Sequence, residues 1–220
     1  MTRECHGSSG LFSHQIEGLT AVCTIENVVH PSRSSPRRSA AVITVSDGCS
    51  RGVREDLSGP ALVDTLDANG FETVYRATVP DEQGAIEDAM RKAAGVARLV
   101  VTTGGTGVGP RDVTPEATRA VCDRLLEGVA ELMRSEGRRE TPMASLSRAV
   151  CGTFSGKRGA ALILNVPGSP KGAVRSLLAA LPVLPHALDL IEGRTEHGEG
   201  ATVRSGTVTG QGSRRKERRA

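Results

Sequence analysis

Residues 99–118 read Leu-Val-Val-Thr-Thr-Gly-Gly-Thr-Gly-Val-Gly-Pro-Arg-Asp-Val-Thr-Pro-Glu-Ala-Thr, and this stretch limits the possible folds more than any other. A buried-strand run over residues 99–102 stops at a loop of small residues, and the chain restarts as a helix at Thr114. Thr114 can cap that helix, Pro115 suits its first position, and Glu116 faces the positive end of its dipole. Gly104, Gly105, Gly107 and Gly109 let the loop backbone turn through positive φ and bring its N–H groups close to a ligand. A phosphate or another anion suits that geometry, with a plain tight turn as the alternative. Neither common nucleotide pattern is present: no Gly-Lys-Ser/Thr ends the loop, and Pro110 stands where the dinucleotide fingerprint needs glycine. Arg111-Asp112 favours a ligand, because a carboxylate beside an anion-binding loop suits a Mg²⁺ ion that joins protein to phosphate.

The flanking sequence supplies the rest of a sheet. Residues 40–45 are a continuous buried-strand run ending in Ser46-Asp47-Gly48. Gly59-Pro60 opens a helix whose Ala61, Leu62, Thr65 and Leu66 recur at three and four, and Asn69-Gly70 closes it. Residues 72–79 read as the next strand, and Pro80-Asp81-Glu82 begins a helix with Ile86, Ala89, Met90 and Ala93 on one stripe. Beyond the glycine loop, Ala117, Val121 and Leu125 predict a helix interrupted near Gly128, with a second short helix around Leu132 and Met133. Residues 148–152 read as a turn region and 160–164 as the last buried strand. A second loop, Asn165-Val166-Pro167-Gly168-Ser169-Pro170, follows that strand, and Lys171 starts a helix over 172–181 that Pro182 and Pro185 break.

Strands alternating with helices predict right-handed crossovers and an α/β fold of three layers, α/β/α, around a mostly parallel sheet. The carboxyl ends of its strands then bring Ser46 and Asp47, Asp81, Asp112 and the segment 165–169 to one crevice. Each polar residue also has a structural reading. Asp81 is suited to capping its helix, Asp47 to a turn before Gly48, and Lys171 to a surface site near a helix start.

Composition excludes other classes. The formal charge of +3 is concentrated in residues 194–220, where seven basic and three acidic residues give +4; residues 1–38 add +1, which leaves −2 for the middle. Phe12, Phe71, Tyr75 and Phe154 are too scattered to make a base-stacking platform, so the core is not expected to bind nucleic acid. No apolar run approaches the about 18 residues of a membrane span, and no signal core follows Arg3, so a cytoplasmic protein is expected. Cys5, Cys23, Cys49, Cys122 and Cys151 form no CxxC pair and are expected to be reduced. The spacings of Cys5, His6, His14, Cys23 and His30 fit no common zinc site. Residues 1–39 read as a disordered extension in which only 19–23 could dock, as an edge strand; 40–193 read as the folded domain, and 194–220 as a basic disordered tail.

Thr102-Thr103-Gly104-Gly105-Thr106-Gly107 followed by Arg111-Asp112-Val113-Thr114-Pro115-Glu116-Ala117 resembles the signature of the molybdopterin-binding family of molybdenum cofactor biosynthesis. That family includes molybdopterin adenylyltransferases and the G domain of gephyrin-type proteins. The resemblance extends through Ser46-Asp47, Val79-Pro80-Asp81-Glu82 and Leu164-Asn165-Val166-Pro167-Gly168-Ser169-Pro170-Lys171, over residues 40–192. It implies transfer of AMP from ATP to the terminal phosphate of molybdopterin, with Mg²⁺ accompanying ATP. It makes Asp81 and Asp112 the functional acids and metal ligands. Ser46, Asp47, Thr103, Gly104, Gly105, Thr106, Gly107, Thr114, Pro115, Glu116, Asn165, Pro167, Gly168, Ser169 and Lys171 would hold pterin and nucleotide. It further implies a homotrimer and a downstream molybdenum-insertion protein. The alternative within the family is a paralogue that binds molybdopterin without turning over ATP. This chain reads Ser46-Asp47-Gly48-Cys49 where many relatives have a basic residue after the aspartate.

Overall fold

In a computed structural model, the structure describes residues 37–194. The expected disorder of the two termini, the edge strand at 19–23 and the cysteine–histidine set of the N-terminal segment lie outside the described residues, apart from residues 37–39 and Arg194. β1 (Arg38–Val45) begins two residues before the expected start of the domain, and Arg38 is held by both carboxylate oxygens of Asp189 at 3.0 Å.

The elements run β1, a helical turn α1 (Asp47–Ser50), α2 (Ser58–Ala68), β2 (Phe71–Val79), α3 (Gln83–Ala94), β3 (Leu99–Thr103) and α4 (Thr114–Val121). They continue through β4 (Arg124–Leu125), α5 (Glu127–Arg138), a 3-10 turn (Pro142–Leu146), β5 (Cys151–Gly156), β6 (Gly159–Val166), α6 (Pro170–Ala180) and α7 (Leu184–Ile191). The sheet order is β2-β1-β3-β6-β5-β4, with β2, β1, β3 and β6 parallel and the last two strands antiparallel.

The central strands are mostly apolar because they are covered on both faces. Ala40 and Val42 of β1 pack with Leu62, Leu66, Leu177 and Leu184 on one side, while Ala41, Ile43 and Val45 meet Ile86, Met90 and Ala117 on the other. Alternation within one strand thus feeds two cores, and each fully buried Leu, Ile or Met contributes about 1.5–3 kcal/mol. These are the expected three layers.

The differences fall in the second half. Of residues 148–152, read as a turn, the last two already belong to β5, which forms a hairpin with β6 closed at Gly159 with φ +114°. Two glycines in Cys151–Gly156 blur the alternation that marks a half-buried strand. The expected interruption between two helices is present but falls before Gly128: α4 ends at Val121, and Leu125 lies in β4 paired with β5 rather than in the helix. The second helix, α5, runs for 12 residues with Gly128 as its second residue, where a glycine disturbs least.

Candidate functional site

The glycine loop leaves β3 at Thr103 and is fixed by its own backbone. Gly104 (φ +102°) and Gly105 (φ +61°) adopt the conformation that favours glycine. A Cβ on Gly104 would collide with the Val45 carbonyl, and one on Gly105 with the Thr114 hydroxyl. Thr114 therefore does not cap α4 as its sequence position suggests. Its hydroxyl donates to the Gly104 carbonyl at 2.9 Å, Val113 takes the cap position, and the Thr114 N–H donates to Gly105 O at 3.1 Å. At the far end of the loop, Asp112 accepts the Gly109 N–H through Oδ2 at 2.7 Å.

Arg148 clamps this loop from outside. Its Nε donates to Gly107 O at 2.6 Å, its guanidinium also holds the Asp112 carbonyl and the Glu116 carboxylate, and its backbone N–H reaches Thr106 O at 2.9 Å. The hydrogen bond from Arg148 holds the Glu116 carboxyl below its ordinary value against the opposing effect of burial.

The loops after β1 and β2 are joined to each other. The Ser46 N–H continues the ladder to Val79 O at 2.9 Å, after which side chains take over. Asp47 N–H donates to Asp81 Oδ2 at 2.8 Å, and Asp81 N–H donates to Asp47 Oδ1 at 3.1 Å. Asp81 does not cap its helix, since Glu82 occupies that position and makes no side-chain cap. Arg111 then engages Asp47, with Nε at 3.1 Å from Oδ2 and Nη2 at 2.9 Å from both oxygens. Burial acts to raise the Asp47 pKa, but the Asp81 N–H and Arg111 outweigh it and hold it below the ordinary value.

These strand ends open on a cleft of about 1110 Å³. It is lined by Ser46, Asp81, Asp112 and Thr103 to Gly107, and by Pro167, Gly168 and Ser169, which pack beside the glycine loop through the Thr103 Oγ1 bond to Pro167 O at 2.8 Å, and Lys171 of α6. Ser169 caps α6, its Oγ accepting the Gly172 N–H at 3.3 Å. Lys171 is bound at 2.7 Å to Glu140, which also accepts from Arg175 at 2.7 Å.

Five expected ligand-binding residues do not line the cleft. Asn165 is fully buried, donating to Thr102 Oγ1 (2.9 Å) and Thr118 Oγ1 (2.8 Å) and accepting the Val150 N–H (3.1 Å). With its amide committed on both sides, it ties β6 to β3 and α4 and has nothing left for a ligand. Thr114 is spent on Gly104, Pro115 is buried in the first turn of α4, Glu116 is paired with Arg148, and Asp47 is held by Arg111. All five shape the loops around the cleft instead.

Other residues enter the cleft without having been singled out from the sequence. Asp56 accepts from Thr44 Oγ1 at 2.6 Å and from the Gly59 N–H at 2.9 Å, so it ties the start of α2 to β1 while lining the cavity. Arg54 donates to Ser46 Oγ at 3.2 Å and brings to the first loop a positive charge that its Ser-Asp-Gly-Cys turn lacks. Arg134, Glu140, Arg175 and Ser176 come from α5, the residues that follow it, and α6. The run Arg54-Glu55-Asp56-Leu57-Ser58-Gly59 carried the one available signal, an acid and a serine before a helix-opening glycine.

Among the described residues, no group of three or more His, Cys, Asp or Glu side chains is arranged to hold a metal by itself. Asp81 and Asp112 each commit Oδ2 to a backbone N–H, and both residues line the cavity. Two hard oxygen donors beside an anion-binding loop fit Mg²⁺ that arrives with phosphates supplying its other ligands.

Residues 41–186 match the family described as a probable molybdopterin binding domain. A molybdopterin adenylyltransferase of Helicobacter pylori strain J99 is 43% identical over 157 residues, covering 69% of this chain and 86% of that protein. The Escherichia coli K12 molybdopterin adenylyltransferase is 43% identical over 141 residues, covering 62% of this chain and 70% of that protein. Among solved structures, the molybdopterin biosynthesis enzyme MoaB from Thermus thermophilus is 49% identical with a TM-score of 0.65, covering 71% of this chain and 97% of that one. The tungsten cofactor synthesizing protein MoaB from Pyrococcus furiosus is 32% identical with a TM-score of 0.67, covering 72% and 99% respectively.

Proposed function

The chain belongs to the molybdopterin-binding family of molybdenum cofactor biosynthesis, and from that premise we propose that it is a molybdopterin adenylyltransferase. The terminal phosphate oxygen of molybdopterin attacks the α-phosphorus of ATP. The bond from that phosphorus to the bridging oxygen of the β-phosphate breaks, leaving adenylylated molybdopterin and pyrophosphate. Such a transfer asks little covalent work of the protein; alignment and neutralisation of charge carry it.

The observation that supports this reading most is that Asp81 and Asp112 both line the cleft that also holds the glycine loop. They would hold the Mg²⁺ that accompanies ATP, which offsets negative charge on the phosphates. Gly104, Gly105 and Gly107 line the cleft and carry no side chain to keep an anionic group from their backbone. Lys171 and Arg175, which also line the cleft, supply positive charge once a phosphate takes the place of Glu140. A cytoplasmic homotrimer that passes its product to a molybdenum-insertion protein is part of the same proposal.

The test is ATP-dependent adenylylation of molybdopterin with Mg²⁺ by the wild type, Asp81→Asn and Asp112→Asn, with pterin binding measured in parallel. Turnover that falls at least about a hundredfold in Asp112→Asn with pterin still bound supports the enzyme. Tight pterin binding without turnover in the wild type would instead make the protein a binding-only paralogue, and absence of pterin binding would reject both.

A further inference from the structure

Asp47 bonds both Asp81 and the residue next to Asp112, the two acids that line the cleft, yet it is not among the lining residues itself. It is joined to Asp81 by two reciprocal bonds, each backbone N–H donating to the other's carboxylate, at 2.8 and 3.1 Å. Its remaining capacity goes to Arg111 in a forked contact at 2.9 to 3.1 Å. Arg111 is the residue immediately before Asp112, whose own carboxylate is turned back onto the Gly109 N–H. The contacts therefore run without a gap from Asp81 through Asp47 and Arg111 to the backbone of Asp112. They connect the loop after β2, the loop after β1 and the loop after β3 through side chains, beyond the ladder bond from Ser46 N–H to Val79 O and the packing of Gly104 against the Val45 carbonyl.

We propose that Asp47 and Arg111 are positioning residues that set the separation of the Asp81 and Asp112 carboxylates, Asp47 acting as the hinge pin between them rather than as a ligand for substrate. The inference rests on the adenylyltransferase reading above and adds to it the means by which its two acids are kept in register. A forked guanidinium–carboxylate contact suits this task because it fixes direction as well as distance. Arg111 is 59% exposed, and an exposed ion pair contributes little to folding, so its removal bears on alignment far more than on stability.

The experiment is a double-mutant cycle on the full-length protein, with Asp47→Asn, Arg111→Met and the combined variant, reading kcat, KM for ATP and molybdopterin, and the midpoint of thermal unfolding. Asparagine keeps an oxygen for the Asp81 N–H and removes the charge that holds Arg111. Each single change is expected to lower kcat about 10- to 100-fold while KM for ATP moves less than about threefold, the pattern of lost alignment. The combined variant should be no worse than the poorer single variant by more than about threefold, because both changes break the same contact. Losses that multiply, a KM increase confined to Arg111→Met, or single variants with wild-type kcat would each overturn the proposal. Should Asp47→Asn fail to fold, Arg111→Met alone decides it by the same kcat-against-KM split. A wild type that binds pterin but shows no turnover is a different result: it overturns the adenylyltransferase reading, and this proposal with it.

Discussion

Arg148 donates through Nε to the Gly107 carbonyl at 2.6 Å, across 41 residues of chain, and with the same guanidinium holds the Asp112 carbonyl and the Glu116 carboxylate. One side chain thus ties together the middle of the glycine loop, its end, and the first turn of α4. Arg148→Met should lower folding stability by about 1–2 kcal/mol, an amount reduced by the partial exposure of the pair. It should weaken nucleotide binding by more than that loss of stability implies, because the loop backbone becomes free to move. The comparison of denaturant unfolding with calorimetric nucleotide titration checks both. The pH dependence has a defined sign. The Glu116 carboxyl lies below its ordinary value of 4.5 in the folded protein. Its pairing therefore stabilises the fold above that value and is lost as pH falls through the folded pKa. The stability gap between wild type and Arg148→Met should accordingly narrow below pH 4.5.

Asn165 gives the opposite pattern. It is wholly buried and satisfies Thr102, Thr118 and the Val150 N–H at once. Asn165→Ala leaves those three groups without their partner and opens a small cavity, so unfolding free energy should fall by about 2–4 kcal/mol. Molybdopterin affinity of the protein that remains folded should change less than about twofold, since the residue makes no surface to the cleft. A large affinity loss at unchanged stability would restore the ligand-binding role that its motif suggests.

Much of the fold was legible in the sequence because the parallel strands are continuous apolar runs and their helices carry clear stripes, as in Ile86, Ala89, Met90 and Ala93. β5 was not, because Cys151–Gly156 has two glycines and its pairing is set by β6, which follows it in the chain. At the site, the glycine loop with Asp81 and Asp112 was legible as motif. What a motif does not distinguish is a residue that lines the cleft from one that holds the lining in place: Asp47, Thr114, Glu116 and Asn165 lie inside motifs yet spend their polar groups on the protein. Arg148, Asp56 and Arg175 act from outside the motifs, at positions that only the packing of α2, α5 and α6 brings near.

The two kinds of positive-φ glycine should separate cleanly. At Gly104 a Cβ would run into the Val45 carbonyl, whereas at Gly70 (φ +83°) nothing lies within 4 Å. Gly70→Ala should cost only the left-handed backbone strain, about 1–2 kcal/mol. Gly104→Ala adds a backbone collision in the middle of the sheet edge and should cost more than about 3 kcal/mol, with nucleotide binding lost. Urea unfolding of the two variants side by side makes the comparison.

The cysteines of the second half of the fold are expected to be inert. Burial pushes the Cys122 and Cys151 thiols up to about 12, where the thiolate that reacts is scarce at neutral pH. Iodoacetamide at about pH 8 should label both residues at least about a hundredfold more slowly in the native protein than in the unfolded chain. Peptide mass spectrometry over a time course measures this, and comparable rates in the two states would show that β5 and the end of α4 open readily.

Glu140 holds two of the cations that line the cleft, Lys171 and Arg175, each at 2.7 Å. The hydrogen bond from Lys171, opposed by burial and assisted by Arg175, keeps its carboxyl below the ordinary value, so the pairing persists at neutral pH and is lost only as pH falls below 4.5. A phosphate entering the cleft has to compete with this carboxylate. Glu140→Gln removes the competitor without removing volume, and inorganic pyrophosphate should bind about three- to tenfold more tightly to it than to the wild type. Lys171→Met and Arg175→Met should weaken pyrophosphate by similar factors, and all three differences should shrink at high salt, where exposed charges are screened. Calorimetric titration at low and high salt reads them directly. Unchanged affinity in Glu140→Gln together with weaker binding in Arg175→Met would mean that phosphate reaches the cations from a side Glu140 does not cover; weaker binding in all three would make the carboxylate part of the site rather than its occupant.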